Sequence, residues 1–338
     1  MMTTVLQQVH LRLVFSCVVL LLLGYAAVTH WLIQKAITST HPDDENGLLL
    51  QQRLDATSHE DGYIVNQQNN GVLFFNRVPK CGSEMLVLLL QWLQGQNTFR
   101  HVRLRNTIKR YLTYNEQLDL AAEVGEKIQE TSELHVSFDR HVYFTNFTSL
   151  GLKMPIYLNL IRDPVEKMVS RFYYARVTPR PGAMTPPNYH PAPMPRHATL
   201  EECVLSGSEE CNFLTGHHYD LTIPYFCGHH EYCRELNNAA ALKLAKQNVE
   251  EWYPVVGVLE DINATLTVLQ HHLPQYFANV VDLYYNELLA PHHNKNRQRP
   301  TTSPEVKATL RKNLSLEYDF YNFVRQRLNL QYQQLQII

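Results

Sequence analysis

The chain has 338 residues and is close to electroneutral, with 30 Lys and Arg against 32 Asp and Glu and a formal net charge of −2. Charged residues make up 18% and hydrophobic residues 45%, which excludes an intrinsically disordered chain, because such chains are rich in charge and poor in apolar groups. The balance also excludes a nucleic-acid-binding protein that acts through a large overall positive charge. Any recognition of anions must therefore be local.

An apolar segment lies near the N-terminus. Residues 13–28 carry no charge, and apolar residues resume at 31–33. A helix needs about 20 residues to cross the bilayer core. The sequence therefore predicts a transmembrane signal anchor at 13–33, a cytoplasmic tail at 1–12 and a single-pass type II topology. A signal peptide cleaved near 24–26 is the alternative, but the apolar run is longer than a typical signal-peptide core.

The sequence after this segment indicates a lumenal body on a stem. Residues 34–70 are polar and nearly free of aromatic residues, which is typical of a flexible stem. Hydrophobic segments and turn signals recur over 71–338, a region long enough for one large domain with a full core. A lumenal location is also indicated by acceptor sequons for N-glycosylation at Asn146, Asn263 and Asn313.

The cysteines favour an oxidising compartment. Four of the six lie close together in the chain, at Cys203, Cys211, Cys227 and Cys233. Local disulfides, Cys203 with Cys211 and Cys227 with Cys233, would close two short loops. A zinc site is the alternative, but these spacings lack the short Cys-x₂₋₄-Cys hairpin that brings two thiolates onto one metal ion.

The pattern over 71–338 alternates between buried strands and helices. The strand signals are at 72–78, 156–161 and 255–259, and the helix signals are at 85–93, at 165–176 and after Asp261. Asp163 suits the N-cap position, with Pro164 in the first turn. The alternation predicts an α/β fold with a parallel central sheet flanked by helices. Ligands of such sheets bind beyond the carboxyl ends of the strands.

The turn after the first predicted strand reads Arg77-Val-Pro-Lys-Cys-Gly-Ser83. A short loop that opens a helix offers backbone N–H groups to an anion, and Lys80 adds a charge. Gly82 permits close approach of the backbone, and Ser83 can donate a hydroxyl. The turn is not a Walker A loop, which requires Gly-x₄-Gly-Lys-Ser/Thr. An ordinary capped helix is the alternative interpretation.

The turn after the second predicted strand strengthens the anion-binding hypothesis. Arg162 follows this strand, and Ser170 lies eight residues further along the predicted helix. A guanidinium at the strand end and a hydroxyl two helical turns away could contact the same phosphate.

A third cationic feature is the alternation of His101, Arg103 and Arg105 with Val102 and Leu104. On a strand, this spacing places the three basic side chains on one face. Such a stripe suits a sulfated or carboxylated sugar chain. A solvated strand face at the surface is an equally good interpretation.

Several of these motifs together resemble one enzyme family. The segment 77–83 resembles the 5′-phosphosulfate loop of Golgi carbohydrate sulfotransferases, and 161–170 resembles their 3′-phosphate motif. The sequence His141-Val-Tyr-Phe, the Cys227-Gly-His block and the four-cysteine pattern resemble the uronyl and heparan sulfate 2-O-sulfotransferases, including the insect Pipe group. The resemblance extends over roughly 71–330 in order and spacing.

The resemblance implies a P-loop-NTPase-like sulfotransferase fold, 3′-phosphoadenylyl sulfate (PAPS) as the sulfate donor and no metal. The expected donor-binding residues are Lys80, Cys81, Gly82 and Ser83 for the 5′-phosphosulfate and Arg162 and Ser170 for the 3′-phosphate. The expected catalytic residues are His141, as general base, and Lys80. The expected acceptor-binding residues are Arg77 and Arg299, which match family positions, and Arg103 and Arg105 from the basic stripe.

The sequence thus predicts an enzyme of the Golgi membrane with a lumenal catalytic domain. It would transfer a sulfuryl group from PAPS to the 2-hydroxyl of a uronic acid in a glycosaminoglycan or glycoprotein glycan. An imidazole that titrates near neutrality suits the role of base for that hydroxyl. The resemblance also implies a homotrimer, and no nucleic-acid partner is expected.

Two departures from the family pattern motivate an alternative function. Glu84 stands where a small polar or basic residue is usual, and Asp139 occupies a position where the heparan sulfate enzymes have a second histidine. The alternative is a non-catalytic glycan-binding or assembly subunit that keeps the fold. Within the enzyme hypothesis, His135 is a rival base and Cys81 a rival nucleophile. A P-loop kinase would depend on magnesium, for which the sequence offers no evident ligand.

Overall fold

The computed structural model describes residues 71–105, 109–174, 197, 199–208, 210–288 and 301–337. Within these residues, one sheet contains the strands β1 (Val72–Asn76), β2 (Phe99–Arg103), β3 (His135–Arg140), β4 (Ile156–Ile161) and β5 (Val255–Val258). Every neighbouring pair is parallel, and the strand order is β2-β3-β1-β4-β5. The predicted parallel sheet is confirmed.

Helices surround this sheet. Those in the described residues are α1 (Ser83–Leu93), α2 (Tyr114–Gln129), α3 (Pro164–Tyr174), α4 (Leu200–Leu205), α5 (Pro224–Cys227), α6 (Ala239–Trp252), α7 (Ile262–His272), α8 (Pro274–Phe277), α9 (Val280–Leu283), α10 (Pro304–Asn313) and α11 (Ser315–Ile337). Shorter 3₁₀ segments are Phe147–Leu150, Glu231–Arg234 and Leu259–Asp261, and a π-helical turn spans Tyr284–Leu288. Helices α7 and α11 both pack against β5.

The two edge strands of the sheet differ in burial. Every residue of β1, β4 and β5 is buried; this is expected of the inner strands β1 and β4, whereas the edge strand β5 is covered by α7 and α11. Strand β2 lies at one edge, where Arg100 and Arg103 are exposed. Strand β3 has no counterpart among the predicted strands, although it pairs with both β1 and β2.

The topology creates a cleft at the carboxyl ends of β1 and β4. These two strands are neighbours in the sheet. The chain leaves β1 toward the edge formed by β2, whereas it leaves β4 toward the opposite edge formed by β5. Where connections diverge in this way, a crevice opens beyond the strand ends, and ligands of open α/β sheets bind there. Both turns singled out in the sequence follow these two strands.

A buried amide pair holds the ends of β1 and β4 together. The Asn159 side chain donates to the backbone oxygen of Asn76 at 2.7 Å and to its side-chain oxygen at 2.9 Å. The Asn159 Oδ1 atom accepts the N–H of Val78 at 3.3 Å, and the Tyr253 hydroxyl donates to Asn76 Oδ1 at 3.0 Å. Both asparagines are fully buried, so this network fixes the position from which the first turn departs.

A second hydrophobic cluster is separate from the one around the sheet. Its buried members from α3, α4 and α10 are Val165, Met168, Val169, Phe172, Leu200, Cys203, Val306 and Leu310. A disulfide joins Cys203 to Cys211 at the side of this cluster, and another joins Cys227 to Cys233. These are the pairs suggested by the sequence spacing, and the pairing consumes the four thiols that a zinc site would need.

The three sequons lie in different settings. Asn146 is exposed, and its Oδ1 atom accepts the N–H of Thr148 at 3.1 Å. Asn263 is exposed on α7, and Tyr285 donates to its Oδ1 atom at 3.3 Å. Asn313 is half-buried at the end of α10 and donates to the backbone of Asn212 at 3.2 Å. Glycosylation at these positions stays a prediction.

The predicted tail, signal anchor and stem, at 1–12, 13–33 and 34–70, lie outside the described residues. Of the helices that the described residues form, none combines the length and the hydrophobicity needed to cross a bilayer.

The buried amide pair gives a prediction about stability. Replacement of Asn159 by Ala leaves the N–H of Val78 and the carbonyl of Asn76 without their buried partner, and we expect the free energy of unfolding to fall by about 2–4 kcal/mol. Urea denaturation of the purified protein measures this change. The control is Asn322→Ala, at an exposed position of α11, which should change stability by less than about 0.5 kcal/mol. Equal effects of the two substitutions would contradict the structural role of the pair.

Candidate active site

The turn between β1 and α1 has the backbone geometry of an anion-binding loop. Lys80 and Gly82 have positive φ angles of 66° and 77°, whereas Cys81 between them does not. Such alternation directs successive N–H groups toward one concave side, and the loop leads directly into the N-terminus of α1 at Ser83. A Cβ atom at Gly82 would lie 2.9 Å from Cδ1 of Leu259. The position therefore favours glycine for both its backbone angle and its space.

The turn between β4 and α3 places Arg162 at a strand end and Ser170 along a helix. Asp163 caps the helix, because its Oδ1 atom accepts the N–H of Glu166 at 3.0 Å. The Tyr318 hydroxyl, from α11, contacts the same carboxylate at 2.9 Å. Ser170 is half-buried two turns further along α3. The helix start is thus anchored from two sides, which fixes the direction in which α3 leaves the sheet.

The structure brings the two turns into contact. The Arg162 guanidinium donates to the backbone oxygen of Lys80 at 3.4 Å. The Lys80 ammonium lies 3.5 Å from the centroid of the Tyr174 ring, a cation–π contact. Tyr174 is on α3 four residues after Ser170, so both side chains lie on the same face of that helix. The cation–π contact therefore brings Lys80 to the face of α3 that carries Ser170.

The charges in this cleft are arranged around Arg162. Burial lowers the pKa of Lys80, and the positive charge of Arg162 lowers it further. Two carboxylates flank the guanidinium at long range, with Glu166 at 3.8 Å and Glu260 at 3.9 Å. Glu260 also accepts the N–H of Asp163 at 3.1 Å. Two cations thus stand close together at the mouth of the loop, an arrangement that a bound polyanion would stabilise.

Cys81 lies in the loop but is unsuited to nucleophilic chemistry. Its side chain is fully buried, and burial raises the pKa of the thiol to about 12. Since the thiolate is the nucleophilic form, this cysteine stays protonated and packs as a small apolar residue. The rival hypothesis of a cysteine nucleophile loses its chemical basis.

His141 follows β3 and has a defined tautomer. Its Nδ1–H donates to the backbone oxygen of Arg77 at 2.9 Å, so Nε2 carries the lone pair. Arg77 Nη2 donates to that Nε2 atom at 2.9 Å. Burial and the neighbouring Arg77 charge lower the pKa of His141 to about 4. The imidazole is therefore neutral at physiological pH, the form that a general base requires, but its pKa lies well below the near-neutral value expected from the sequence.

The rival base lies elsewhere. His135 begins β3, and because all strands are parallel, it lies at the amino edge of the sheet, opposite the two turns. Its ring packs edge-on against Tyr276 at a centroid distance of 5.9 Å. Of these two histidines, His141 is therefore the one that lies at the carboxyl edge of the sheet.

Arg77 is the centre of a buried charge network. Its side chain is only 2% exposed. The guanidinium makes a short ion pair with the fully buried Asp139 and contacts Glu84 Oε1 at 2.9 Å. Burial raises the pKa of Asp139, but His101, Arg77 and Arg103 outweigh that effect and lower it overall. Asp139 is therefore a buried carboxylate that balances the charge of Arg77.

The basic stripe of β2 divides between two environments. Arg103 is 39% exposed and contacts Glu84 at 3.1 Å and Asp139 at 3.3 Å. His101 points inward instead, with Nδ1 2.8 Å from the Ser137 hydroxyl. Arg105 is exposed and lines a separate cavity beside α2. His101, whose Nε2 lies 3.3 Å from Asp139, and Arg103 thus both lie in the Arg77 network, whereas Arg105 does not. Arg299 lies outside the described residues.

Two groups at the site were not assigned from the sequence. Tyr174 holds the Lys80 ammonium, and its spacing of four from Ser170 is a helical signal that could have found it. Glu260, in the 3₁₀ turn after β5, accepts the N–H of Asp163 at 3.1 Å and lies 3.9 Å from Arg162. No local sequence pattern predicts the role of Glu260, because its partners are almost a hundred residues away in the chain.

Comparisons with known proteins identify the family of this chain. Residues 61–324 match the profile of the sulfotransferase family. The chain is 35% identical over 264 residues to uronyl 2-sulfotransferase of Homo sapiens, covering 76% of this chain and 62% of the relative. It is 36% identical over 276 residues to uronyl 2-sulfotransferase homolog pip of Drosophila melanogaster, covering 77% and 52%. Heparan sulfate 2-O-sulfotransferase 1 of Xenopus laevis is 29% identical over 280 residues, with 81% and 75% covered.

The matched part of this chain therefore spans between about half and two thirds of the length of the uronyl relatives.

The low pKa of His141 predicts a pH dependence of stability. An unfolded histidine titrates near pH 6.5, whereas folded His141 titrates near 4, so the unfolded state takes up the proton first. The contribution of His141 to the free energy of unfolding is fully present above pH 6.5. It is lost as the pH falls toward 4, by about 3 kcal/mol at most. Urea denaturation at pH 7, 6 and 5 measures this loss.

The variant His141→Gln isolates the effect, because the other groups that titrate in this range are kept. We expect its unfolding free energy to decline less steeply with acidification than that of the unmodified protein. Parallel declines in the two proteins would show that His141 titrates normally in the folded state.

Proposed function

The chain belongs to the sulfotransferase family, and on that premise we propose that it transfers a sulfuryl group from PAPS to the 2-hydroxyl of a uronic acid in a glycan. The observation that carries the proposal is the contact between Arg162 and the Lys80 backbone. It brings together the two turns for which we propose anion binding. The names of the relatives, uronyl and heparan sulfate 2-O-sulfotransferase, support a glycan acceptor.

The donor set of the cleft fits a nucleotide with anionic groups at both ends. The loop amides, the Lys80 ammonium and the Ser83 hydroxyl would bind the 5′-phosphosulfate, and Arg162 and Ser170 would bind the 3′-phosphate. All of these groups donate hydrogen bonds, which matches a ligand whose outer atoms are acceptors. PAPS supplies the activated sulfuryl group. Lys80 would stabilise the negative charge that grows on the departing 5′-phosphate, after it exchanges the Tyr174 ring for the phosphate.

His141 would accept the proton of the acceptor hydroxyl at Nε2, while the hydroxyl oxygen bonds to sulfur and the bond from sulfur to the phosphate oxygen breaks. The carbonyl of Arg77 holds the ring in the tautomer that this step requires. In the structure, Arg77 Nη2 donates to the Nε2 lone pair, and the acceptor hydroxyl would replace Arg77 as the donor to this atom. Arg77 and Arg103 would bind acidic groups of the acceptor, and Arg105 and Arg299 would extend that surface.

We further propose the cellular setting implied by the sequence. The segment 13–33 would anchor the protein in the Golgi membrane with type II topology, 34–70 would form the stem, and the catalytic domain would be lumenal with a P-loop-NTPase-like architecture. Two disulfides support an oxidising compartment, in which the sequons at Asn146, Asn263 and Asn313 could be used. A homotrimer is the assembly we expect.

One observation favours a second function, that of a non-catalytic glycan-binding subunit. The lone pair of the expected base is engaged by Arg77 at 2.9 Å, and the buried Asp139 holds that arginine in place. If this arrangement persists when donor and acceptor bind, the protein would bind both without turnover.

Transfer of radiolabelled sulfate from PAPS to a panel of unsulfated uronate-containing polysaccharides separates the two functions. We expect the purified protein to label at least one of them, and His141→Ala to reduce kcat by about 10²–10⁴-fold, the usual contribution of a general base. The control is His271→Ala, an exposed histidine at the end of α7, which should retain activity. Binding of PAPS with no labelling of any acceptor would instead support the binding subunit.

A further inference from the structure

A single carboxylate lies between two arginines at the edge of the cleft. Glu84 Oε1 accepts from Arg77 Nη2 at 2.9 Å, and Arg103 Nη2 reaches both oxygens of Glu84, at 3.1 and 3.2 Å. Partial burial raises the pKa of Glu84, but the two guanidinium groups outweigh this effect and lower it. The residue is thus an ionised carboxylate held by two charge-assisted contacts.

The two carboxylates that contact Arg77 differ in accessibility. Asp139 has no exposed surface, whereas the Glu84 side chain is 62% exposed. A buried partner of a buried arginine is a permanent part of the fold, because its removal leaves an uncompensated charge. An exposed ion pair contributes little, because water solvates both partners when they separate. Glu84 can therefore be replaced by another carboxylate without disturbing Arg77.

The carboxylate position is adjacent to the expected base. Arg77 Nη2 contacts Glu84 Oε1 and His141 Nε2, each at 2.9 Å. A carboxylate in place of Glu84 would therefore contact the same guanidinium nitrogen, Arg77 Nη2, that contacts the imidazole. The carboxylate of a uronic acid could therefore bind in place of Glu84 while a hydroxyl of the same sugar residue lies next to His141.

We infer that Glu84 occupies the binding position of the acceptor's carboxylate and acts as a specificity-determining residue that the acceptor must displace. The inference rests on the proposed function and identifies the arginine pair Arg77 and Arg103 as the subsite for that carboxylate. When a uronic acid binds, its carboxylate replaces the carboxylate of Glu84 at this subsite. A neutral sugar has no group that can replace Glu84, so it gains nothing from the two guanidinium groups.

Substitution of Glu84 removes this internal competitor. For a uronate-containing acceptor, we expect Glu84→Ala to lower KM by roughly three- to fivefold, the upper end of the scale of an exposed ion pair. The kcat value should change by less than about twofold, because Asp139 still holds Arg77 and the Arg77 carbonyl still orients His141. Glu84→Gln keeps the size of the side chain but not its charge and should act in the same direction, which separates charge from steric effects.

The acceptor used for comparison is a carboxyl-reduced form of the same oligosaccharide, in which each uronic acid is converted to the neutral hexose. Its KM should be the same within about twofold in all variants, since it makes no ion pair with the arginines. An equal decrease in KM for both acceptors would overturn the inference, as would an unchanged or higher KM for the uronate acceptor.

Direct binding keeps this test independent of turnover. Isothermal titration with an unsulfated oligosaccharide of glucuronic acid and N-acetylhexosamine, in the presence of adenosine 3′,5′-bisphosphate, should give a lower Kd for Glu84→Ala than for the unmodified protein. If the unmodified protein transfers no sulfate, the proposed function fails, but these titrations still decide the role of Glu84. The control is Glu130→Gln, which removes an exposed carboxylate paired with Lys127 at 2.8 Å and should leave Kd unchanged. An unchanged Kd for Glu84→Ala would overturn the inference.

Discussion

The arrangement of the cleft depends on the burial of one arginine. A guanidinium that is removed from water costs several kcal/mol unless it is paired, and Arg77 is 2% exposed. The buried carboxylate of Asp139 balances it from the end of the neighbouring strand β3. The backbone of Arg77 continues the pairing of these strands by donating to Arg140 at 2.9 Å, and its carbonyl sets the tautomer of His141. One residue thus ties the first turn, the β3 end and the imidazole together.

The position of Arg77 also divides the cleft into two regions with different basic groups. On one side, the loop amides, Lys80 and Arg162 offer hydrogen-bond donors and positive charge to phosphate groups. On the other side, Arg77 and Arg103 face a carboxylate that the protein supplies itself through Glu84. His141 lies at the Arg77 side of this arrangement. In the proposed function, two anionic ligands would be bound by different basic groups and would not compete for the same site.

The sequence predicted those parts of this structure that have local signals. Unbroken apolar runs predicted β1, β4 and β5, and the Lys-Cys-Gly-Ser and Arg-Asp-Pro turns marked where α1 and α3 begin. Strand β3 was not predicted, although Val136 and Phe138 alternate with Ser137 and Asp139 as in a strand. The burial of both polar residues has no local signal, because their partners Arg77 and His101 come from other strands of the sheet or the turns after them. The contacts of Glu84 with Arg103 depend on how α1 lies beside β2, a relationship between distant segments that no local pattern encodes.

In the proposed function, the two turns bind opposite ends of one nucleotide. Titration of the purified protein with adenosine 3′,5′-bisphosphate and with adenosine 5′-monophosphate tests it directly. Arg162→Ala should weaken binding of the bisphosphate by about 10–100-fold, the value of a charged hydrogen bond, and leave the monophosphate within about twofold, whereas Lys80→Ala should weaken both. Equal losses for the two nucleotides in Arg162→Ala would contradict the claim, because Arg162 would then not distinguish the 3′-phosphate.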